Sequence, residues 1–242
     1  TVCANNVAVT LSGSSTVATG GMWSGGNGTF EPSTTNMSAI YTASAAEIAN
    51  GSVTLTLTTT GIGNCVAVTD QMTINFTAAP VVNAGAPVSL CANNAQVSLS
   101  GSVTGATGGV WSGGTGTYSP NNSTLTATYT PTAGEIAGGT LTLTLTSTGN
   151  GTCNPVQSSR VINFTPAPSV NAGPNGTVCA NSSAITLAGS QSGATGAVWS
   201  GGTGTYNPNN ATLNAVYTPS AAERTAGTVT LTLTTVGNGN CN

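Results

Sequence analysis

The sequence of 242 residues has no histidine and no lysine, and only 3% of it is charged, against about 25% in an ordinary globular domain. Two basic side chains cannot neutralise a run of phosphates, which excludes nucleic acid and anionic membrane surfaces as electrostatic partners. We also expect no membrane insertion in this region. The charged side chains are Glu31, Glu47, Asp70, Glu135, Glu223, Arg160 and Arg224.

The scarcity of titratable side chains also excludes most site chemistry. A nucleophile, a base and an orienting group cannot be assembled without histidine or lysine, so we expect no enzyme activity. The six cysteines show no Cys-x-x-Cys spacing, and the five acids lie far apart in the sequence. Zinc sites and hard-metal cages need such clusters, so we predict neither a metal site nor a cofactor.

The residues that are present form an internal repeat of 88 residues, first seen in Cys3, Cys91 and Cys179. A period of this length is too long for a solenoid turn and indicates small tandem domains, each with its own core. We place the domains at residues 1–80, 81–168 and 169–242, and expect the third to lack its last strand. The same interval separates Trp23, Trp111 and Trp199; Tyr41, Tyr129 and Tyr217; Glu47, Glu135 and Glu223; and Cys65, Cys153 and Cys241.

Each repeat contains the patterns of a small β domain. Val53, Leu55 and Leu57 alternate with threonines, which predicts a strand with one buried face. The glycine-rich segment 24–28 predicts a hairpin, and residues 44–49 predict one helical turn. About seven short strands favour an all-β fold of tandem antiparallel β-sandwich domains of the immunoglobulin type. The short, proline-containing joins predict an elongated rod.

The cysteines predict one disulfide in each repeat. Six cysteines allow 15 connectivities, but a constant span of 62 residues separates the two cysteines of each repeat. Repeat symmetry then favours the pairs within repeats. Because disulfides persist in oxidising environments, they indicate an extracellular or cell-surface protein. The predicted pairs are Cys3 with Cys65, Cys91 with Cys153, and Cys179 with Cys241.

The repeated aromatic and acidic residues each allow two interpretations. A single tryptophan in a small β domain is more often a core anchor than an exposed platform for sugar rings. One carboxylate per repeat cannot run a two-carboxylate glycosidase mechanism, so we interpret the repeated glutamates as caps of the helical turn. The predicted core anchors are Trp23, Trp111, Trp199, Tyr41, Tyr129 and Tyr217.

Two stretches of the second repeat carry a resemblance to a known family. Residues 110–120 (VWSGGTGTYSP) and 127–146 (ATYTPTAGEIAGGTLTLTLT) resemble the PKD-like and immunoglobulin-like tandem repeats of giant surface adhesins of gliding Bacteroidota. The resemblance covers all three repeats. It implies a long cell-surface protein exported by the type IX secretion system, with roles in adhesion and, in some members, gliding motility.

Together these observations predict a structural or adhesive repeat region that acts as a stiff, disulfide-linked tether. Two alternatives are a polysaccharide-binding module array and a self-assembling filament or sheath subunit. The corresponding partners are a surface polysaccharide or neighbouring copies of the chain. An exposed Trp111 and Tyr118 would favour the polysaccharide-binding alternative.

Overall fold

A computed structural model describes residues 1–181 and 184–241. The fold is nearly all-β, with 42% of residues in strands and 7% in helices. The sequence is rich in Thr and Val, which suit a pleated, half-buried surface, and in Gly, which is unfavourable inside helices. It forms three tandem sandwich repeats, and every strand pairing lies within one of them.

The first repeat contains seven strands and one helix, with these bounds. They are β1 (Val2–Cys3), β2 (Ala8–Thr10), β3 (Gly20–Ser24), β4 (Thr29–Glu31), β5 (Ile40–Thr42), α1 (Ala45–Asn50), β6 (Ser52–Thr60) and β7 (Thr69–Thr77). One sheet has the order β1-β7-β6-β3 and the other the order β2-β5-β4. The expected antiparallel sandwich is present, with one parallel edge pair, β1 with β7.

The second repeat has the same plan and adds a strand from the preceding join. Its elements are β8 (Val81–Asn83), β9 (Val88–Cys91), β10 (Val97–Ser98), β11 (Ser102–Thr104), β12 (Gly108–Ser112), β13 (Thr117–Ser119), β14 (Thr128–Thr130), α2 (Ala133–Ala137), β15 (Thr140–Thr148) and β16 (Gln157–Thr165). The sheets have the orders β12-β15-β16-β9 and β10-β14-β13, and β8 pairs with β11. Since β8 belongs to the join, hydrogen bonds hold that join to the second repeat.

The third repeat has fewer paired strands among its described residues. Its elements are β17 (Ser169–Asn171), β18 (Ile185–Thr186), β19 (Ser190–Ser192), β20 (Gly196–Ser200), β21 (Thr205–Asn207), β22 (Val216–Thr218), α3 (Ala221–Ala226) and β23 (Thr232–Val236). The sheet that has four strands in the other repeats consists here of β20 and β23 alone.

The predicted hairpin around residues 24–28 is wrong. Strand β3 pairs with β6, whereas β4 pairs with β5 in the opposite sheet, so the chain crosses between the sheets here. Gly25 and Gly26 have φ of 85° and 74°, values that glycine adopts without steric cost. These two turning glycines let the chain cross the sandwich to β4 instead of returning along β3.

The core of each repeat lies between its two sheets and contains the repeated aromatics. Trp111 and Tyr129 are fully buried, and the equivalent tryptophans and tyrosines are at most 5% exposed. Each indole N–H donates to a carbonyl oxygen in the core, for example Trp111 Nε1 to Leu125 O at 3.1 Å. The apolar body and the polar N–H are therefore both accommodated inside the sandwich.

Candidate functional site

The disulfides join neighbouring repeats, which corrects the predicted pairing. Cys3 bonds to Cys153 and Cys91 bonds to Cys241, each pair 150 residues apart with Cα atoms 4.9 and 5.0 Å apart. Cys65 and Cys179, which were predicted to pair within their repeats, carry free, exposed thiols. The candidate functional site is thus the junction between repeats, and it occurs twice.

Strand direction explains why the pairs predicted within repeats do not form. Cys3 lies opposite Thr77 at the end of β7, while Cys65 lies in the loop that connects β6 to β7. That loop is at the other end of the hairpin, eight residues from Thr77 along β7, or about 27 Å at about 3.4 Å per residue. A disulfide needs Cα atoms within about 7 Å. The first cysteine of one repeat instead meets the second cysteine of the next.

Side-chain amides reinforce the first junction next to the disulfide. Asn5 Nδ2 donates to the carbonyl oxygen of Asn154 at 2.9 Å, and Asn154 N–H donates to Asn5 Oδ1 at 3.0 Å. Asn154 Nδ2 also donates to Asn5 O at 2.7 Å, and Asn6 Nδ2 donates to Thr152 O at 3.0 Å. Four hydrogen bonds therefore accompany one covalent bond between the two repeats.

The two junctions repeat the same local geometry around the linker. The sulfurs of Cys3 and Cys153 lie 4.0 and 3.8 Å from the carbonyl oxygen of Ala78. At the second junction the sulfurs of Cys91 and Cys241 lie 4.0 and 3.9 Å from that of Pro166. Each disulfide thus packs against the linker peptide, and the peptide chain and the disulfide form two parallel covalent connections.

A glycine allows the next repeat to approach each linker closely. A Cβ atom built on Gly105 would lie 3.3 Å from Pro80 Cα, and one on Gly193 would lie 3.2 Å from Pro168 Cα. Both glycines have φ of 74°, where a side chain is strained. In the first repeat the equivalent position is Val17, which is fully exposed.

Within the first repeat, the repeated glutamate forms a clasp that fixes the crossing loop. We define the clasp as Tyr41, Glu47 and the main-chain N–H groups that donate hydrogen bonds to these two side chains. Tyr41 Oη donates to Glu47 Oε1 at 2.7 Å, and Gly28 N–H donates to Tyr41 Oη at 3.0 Å. Asn27 N–H and Ser44 N–H each donate to a carboxylate oxygen of Glu47 at 2.7 Å.

The clasp glutamates cap the helical turns, as the sequence predicted. Ser44 and Glu47 form a complete capping box at α1, and equivalent boxes are present at α2 and α3. A carboxylate that accepts this many hydrogen bonds is stabilised in its charged form. The arrangement holds the loop to the helix and presents no free nucleophile.

The hydrogen bonds outweigh burial in setting the acidity of these groups. Burial by itself raises the pKa of Glu47, yet donation from Tyr41, Ser44 and Asn27 holds that pKa below its usual 4.5. For Glu223 the balance between desolvation and donation from Thr203, Ser220 and Tyr217 lowers the pKa to about 2. Burial, followed by the hydrogen bond to Glu47, raises the pKa of Tyr41 to about 12.

Sugar stacking through the tryptophans is not possible in this structure. Trp111 is fully buried, and Tyr118 packs on Tyr129 with ring centroids 4.7 Å apart. Tyr118 also donates its hydroxyl to Gly113 O at 3.0 Å. Trp111 is therefore closed to a sugar ring, and Tyr118, which is half-buried, is held against the sandwich by these two contacts.

No group of three or more His, Cys, Asp or Glu side chains in residues 1–181 and 184–241 could hold a metal ion. No helix in the same ranges is long and apolar enough to cross a membrane.

Sequence reasoning missed the junction asparagines, although a signal for them exists. Asn5 is the second residue after Cys3, and Asn93 and Asn181 repeat it at the same interval. The second cysteine is followed directly by Asn154 in the second repeat but by Val66 in the first. The Cys-Asn pair recurs in the third repeat as Cys241 and Asn242.

Comparison with known proteins finds similarity only among solved structures; no family model matches and no curated protein is similar. The chain is similar to protocadherin gamma B2 extracellular cadherin domains 3–6, with 15% identity, 83% of this chain and 59% of that chain covered, and a TM-score of 0.35. It is also similar to Sidekick-1 immunoglobulin domains 1–4, with 13% identity, 97% and 72% covered, and a TM-score of 0.33.

A third similar structure is mouse cadherin-23 EC22–24, with 10% identity, 86% of this chain and 78% of that chain covered, and a TM-score of 0.35. The chain thus spans 59% of the protocadherin fragment that it matches. At these identities the comparisons concern the tandem immunoglobulin-like and cadherin-like fold and nothing further.

Proposed function

We propose that this chain is a structural repeat region of a long extracellular surface protein, in which it acts as a tether of limited length. The observation that carries the proposal is the pair of disulfides between repeats. A disulfide inside a domain protects that domain, whereas one across a junction restrains the relative movement of two domains. The second kind is suited to a molecule that must transmit force along its length.

The connectivity of the two disulfides produces a particular covalent network. Cys3 with Cys153 forms one branch point, and Cys91 with Cys241 forms the other. The three segments 3–91, 91–153 and 153–241 each run between the two branch points and span 88, 62 and 88 residues. The shortest segment limits the extension of the whole chain, even when every repeat is unfolded.

The low charge of the chain supports an adhesive or structural role. With 3% charged residues, neighbouring repeats experience little electrostatic repulsion, and their contacts depend little on salt. The capping boxes and buried aromatics assign the repeated residues to the fold, so we propose no catalysis. The family resemblance supports a more specific proposal, a surface adhesin of a gliding bacterium exported by the type IX system.

Single-molecule stretching tests the tether proposal. The chain is held by its two ends, and Cys65 and Cys179 are replaced by serine to prevent bonds between chains. With both disulfides intact, the 62-residue segment limits the distance between the branch points to about 220 Å at about 3.5 Å per residue. After reduction, 238 residues separate Cys3 from Cys241, and the limit rises to about 830 Å.

A matched variant with one disulfide gives an intermediate expectation. In Cys3→Ser/Cys153→Ser, the shortest path from residue 3 to Cys241 contains 88 residues, or about 310 Å. Three graded lengths are therefore expected from the intact, singly bridged and reduced chains. An intact chain that extends as far as the reduced chain would overturn the proposal.

A further inference from the structure

The second junction disulfide gives the chain a short covalent path across its first two repeats. Cys91, at the end of β9, is bonded to Cys241, and only 26 residues separate Cys91 from Cys65 in the β6–β7 loop. We define residues 65–91 as the direct segment. We infer that tension across the first two repeats passes along the direct segment and through the Cys91–Cys241 bond, so that the remaining strands of both repeats carry none of it.

The direct segment runs from the far end of the first repeat to the second junction. It starts in the β6–β7 loop and follows β7 to the first junction, where Cys3 lies opposite Thr77. It then follows β8 and β9 to the second junction, where Cys91 lies opposite Thr165 and packs against Pro166. Force applied at the β6–β7 loop is therefore directed along the segment.

The direct segment has little length to release when it is pulled. Strands β7, β8 and β9 contribute nine, three and four residues to it, which is more than half of the segment. A strand rises about 3.4 Å per residue, and a fully extended chain spans about 3.5 Å per residue. Because these strands are already close to full extension, tension stretches the segment only slightly.

A second segment of the same length lies beside the first in the second repeat. Residues 153–179 begin at Cys153, which is bonded to Cys3, and contain β16, the second linker and β17. Strand β16 pairs in parallel with β9, so both segments run towards the second junction. Force that enters the second repeat through its linker leaves through a disulfide, and force that enters through a disulfide leaves through the next linker.

The Leu/Thr strands that form the centre of each core lie outside the direct segment. Leu55 on β6 precedes Cys65, and Leu143 on β15 follows Cys91. Both leucines are fully buried. Because neither strand lies between Cys65 and Cys91 in the chain, tension between these cysteines does not pull β6 or β15 out of its sheet.

Stretching the full chain from Cys65 and from its C-terminus tests the inference. Cys65 carries a free, exposed thiol that accepts a handle, and Cys179→Ser prevents a second attachment. With both disulfides intact, we expect a limit of about 90 Å at about 3.5 Å per residue, reached without an unfolding step. After reduction, 176 residues separate Cys65 from Cys241, and the limit rises to about 620 Å. Unfolding steps in the intact chain would overturn the inference.

Two matched variants distinguish the two disulfides. In Cys91→Ser/Cys241→Ser, the shortest path runs back from Cys65 to Cys3, crosses to Cys153 and continues to residue 241. It consists of stretches of 62 and 88 residues, so the limit should rise to about 530 Å. Cys3→Ser/Cys153→Ser should leave the limit at about 90 Å. Equal limits in the two variants would contradict the direct segment.

A mild core substitution tests whether the rest of the second repeat is free of tension. Leu143→Val retains an apolar side chain but loses buried contacts in the core. In the reduced chain, tension crosses β15, so one unfolding step should move to a lower force. In the intact chain, held at the same two points, Leu143→Val should leave the trace unchanged. A trace that shifts in the intact chain would show that β15 carries tension.

This inference rests on the proposed tether, but the two fail separately. Tension between the two ends of the chain must cross one segment of 62 residues, whereas tension between Cys65 and the C-terminus crosses 26 residues. A chain that obeys the 62-residue limit but unfolds stepwise when it is held at Cys65 would retain the tether and overturn the inference. An intact chain that extends as far as the reduced chain in both geometries would overturn both.

Discussion

The second and third repeats carry the same tryptophan, tyrosine and glutamate positions, yet they bury very different amounts of apolar side chain. Twelve buried residues form the core cluster of the second repeat, and three form that of the third among the described residues. In the second repeat β15 lies between β12 and β16, whereas β23 in the third pairs with β20 alone.

The central strand itself also differs between the two repeats. Strand β15 spans nine residues, but β23 spans five. Leu143 is fully buried, while its equivalent Leu231 is only partly buried. Leu231 borders a groove of about 610 Å³ in the third repeat. In the second repeat, Ile162 and Phe164 of β16 complete the core. The buried core of the second repeat therefore depends on the two strands β16 and β9, which extend the sheet beyond β15 and have no paired equivalent among the described residues of the third repeat.

The largest expected effect comes from shortening the central leucine in each repeat. Leu143→Ala should destabilise the second repeat by about 3–5 kcal/mol, because it leaves a cavity in a closed core. Leu231→Ala should cost about 1 kcal/mol, since the side chain is already partly solvated. Native-state hydrogen exchange of the amides in β12 and β20 measures the two repeats separately. Equal costs would contradict the difference between the cores.

A smaller effect should come from the clasp, which both repeats contain. Thr115 N–H donates to Glu135 Oε1 and Thr132 N–H donates to Oε2. Glu135→Gln replaces one of these oxygens by an NH2 group that faces one of the two N–H donors, and it should cost about 2 kcal/mol. Glu223→Gln should destabilise the third repeat as well, because Thr203, Ser220 and Tyr217 donate to Glu223 in the same way. The same hydrogen-exchange measurement reports both.

Glu31→Gln serves as the control for the clasp because Glu31 is exposed and lies outside it. It should change stability by less than about 0.5 kcal/mol. A cost from Glu31→Gln comparable to that of Glu135→Gln would mean that the loss of negative charge, and not the clasp, is responsible.

The smallest effect is the pH dependence that the clasp produces. The pKa values of Glu47, Glu135 and Glu223 lie below the usual 4.5, and that of Glu223 is about 2. The unfolded chain therefore binds more protons than the folded chain between these values, so stability should decrease as the pH falls from about 4.5 towards 2.

The tyrosines produce a change of stability with pH that has the opposite sign at alkaline pH. The pKa values of Tyr41 and Tyr129 are raised to about 12, so stability should decrease as the pH rises from about 10 to 12. Melting temperatures of the unchanged chain and of Glu135→Gln, measured at constant ionic strength on the acid and alkaline sides, test both losses of stability. If the loss of stability of the second repeat at acid pH is the same in Glu135→Gln, other carboxylates cause it.

Local patterns in the sequence were sufficient for most of the elements. The Leu/Thr alternation predicted β6, β15 and β23, because side chains on a strand alternate between a buried and an exposed face. The segment from Ser44 to Glu47 predicted the helix cap, because a capping box uses residues only three apart. The interval of 88 residues predicted the tandem repeats.

The pairing of the cysteines and the path of the loop after Trp23 were decided only by the tertiary structure. Repeat symmetry is equally compatible with bonds within repeats and with bonds to the next repeat, since both have a constant spacing. The length of the β6–β7 hairpin separates Cys3 from Cys65, and the order of the domains brings Cys3 to Cys153. Sequence therefore determined which residues form each strand and cap, whereas the directions of the strands and the contacts between repeats determined which ends meet, because such contacts join residues far apart in the chain.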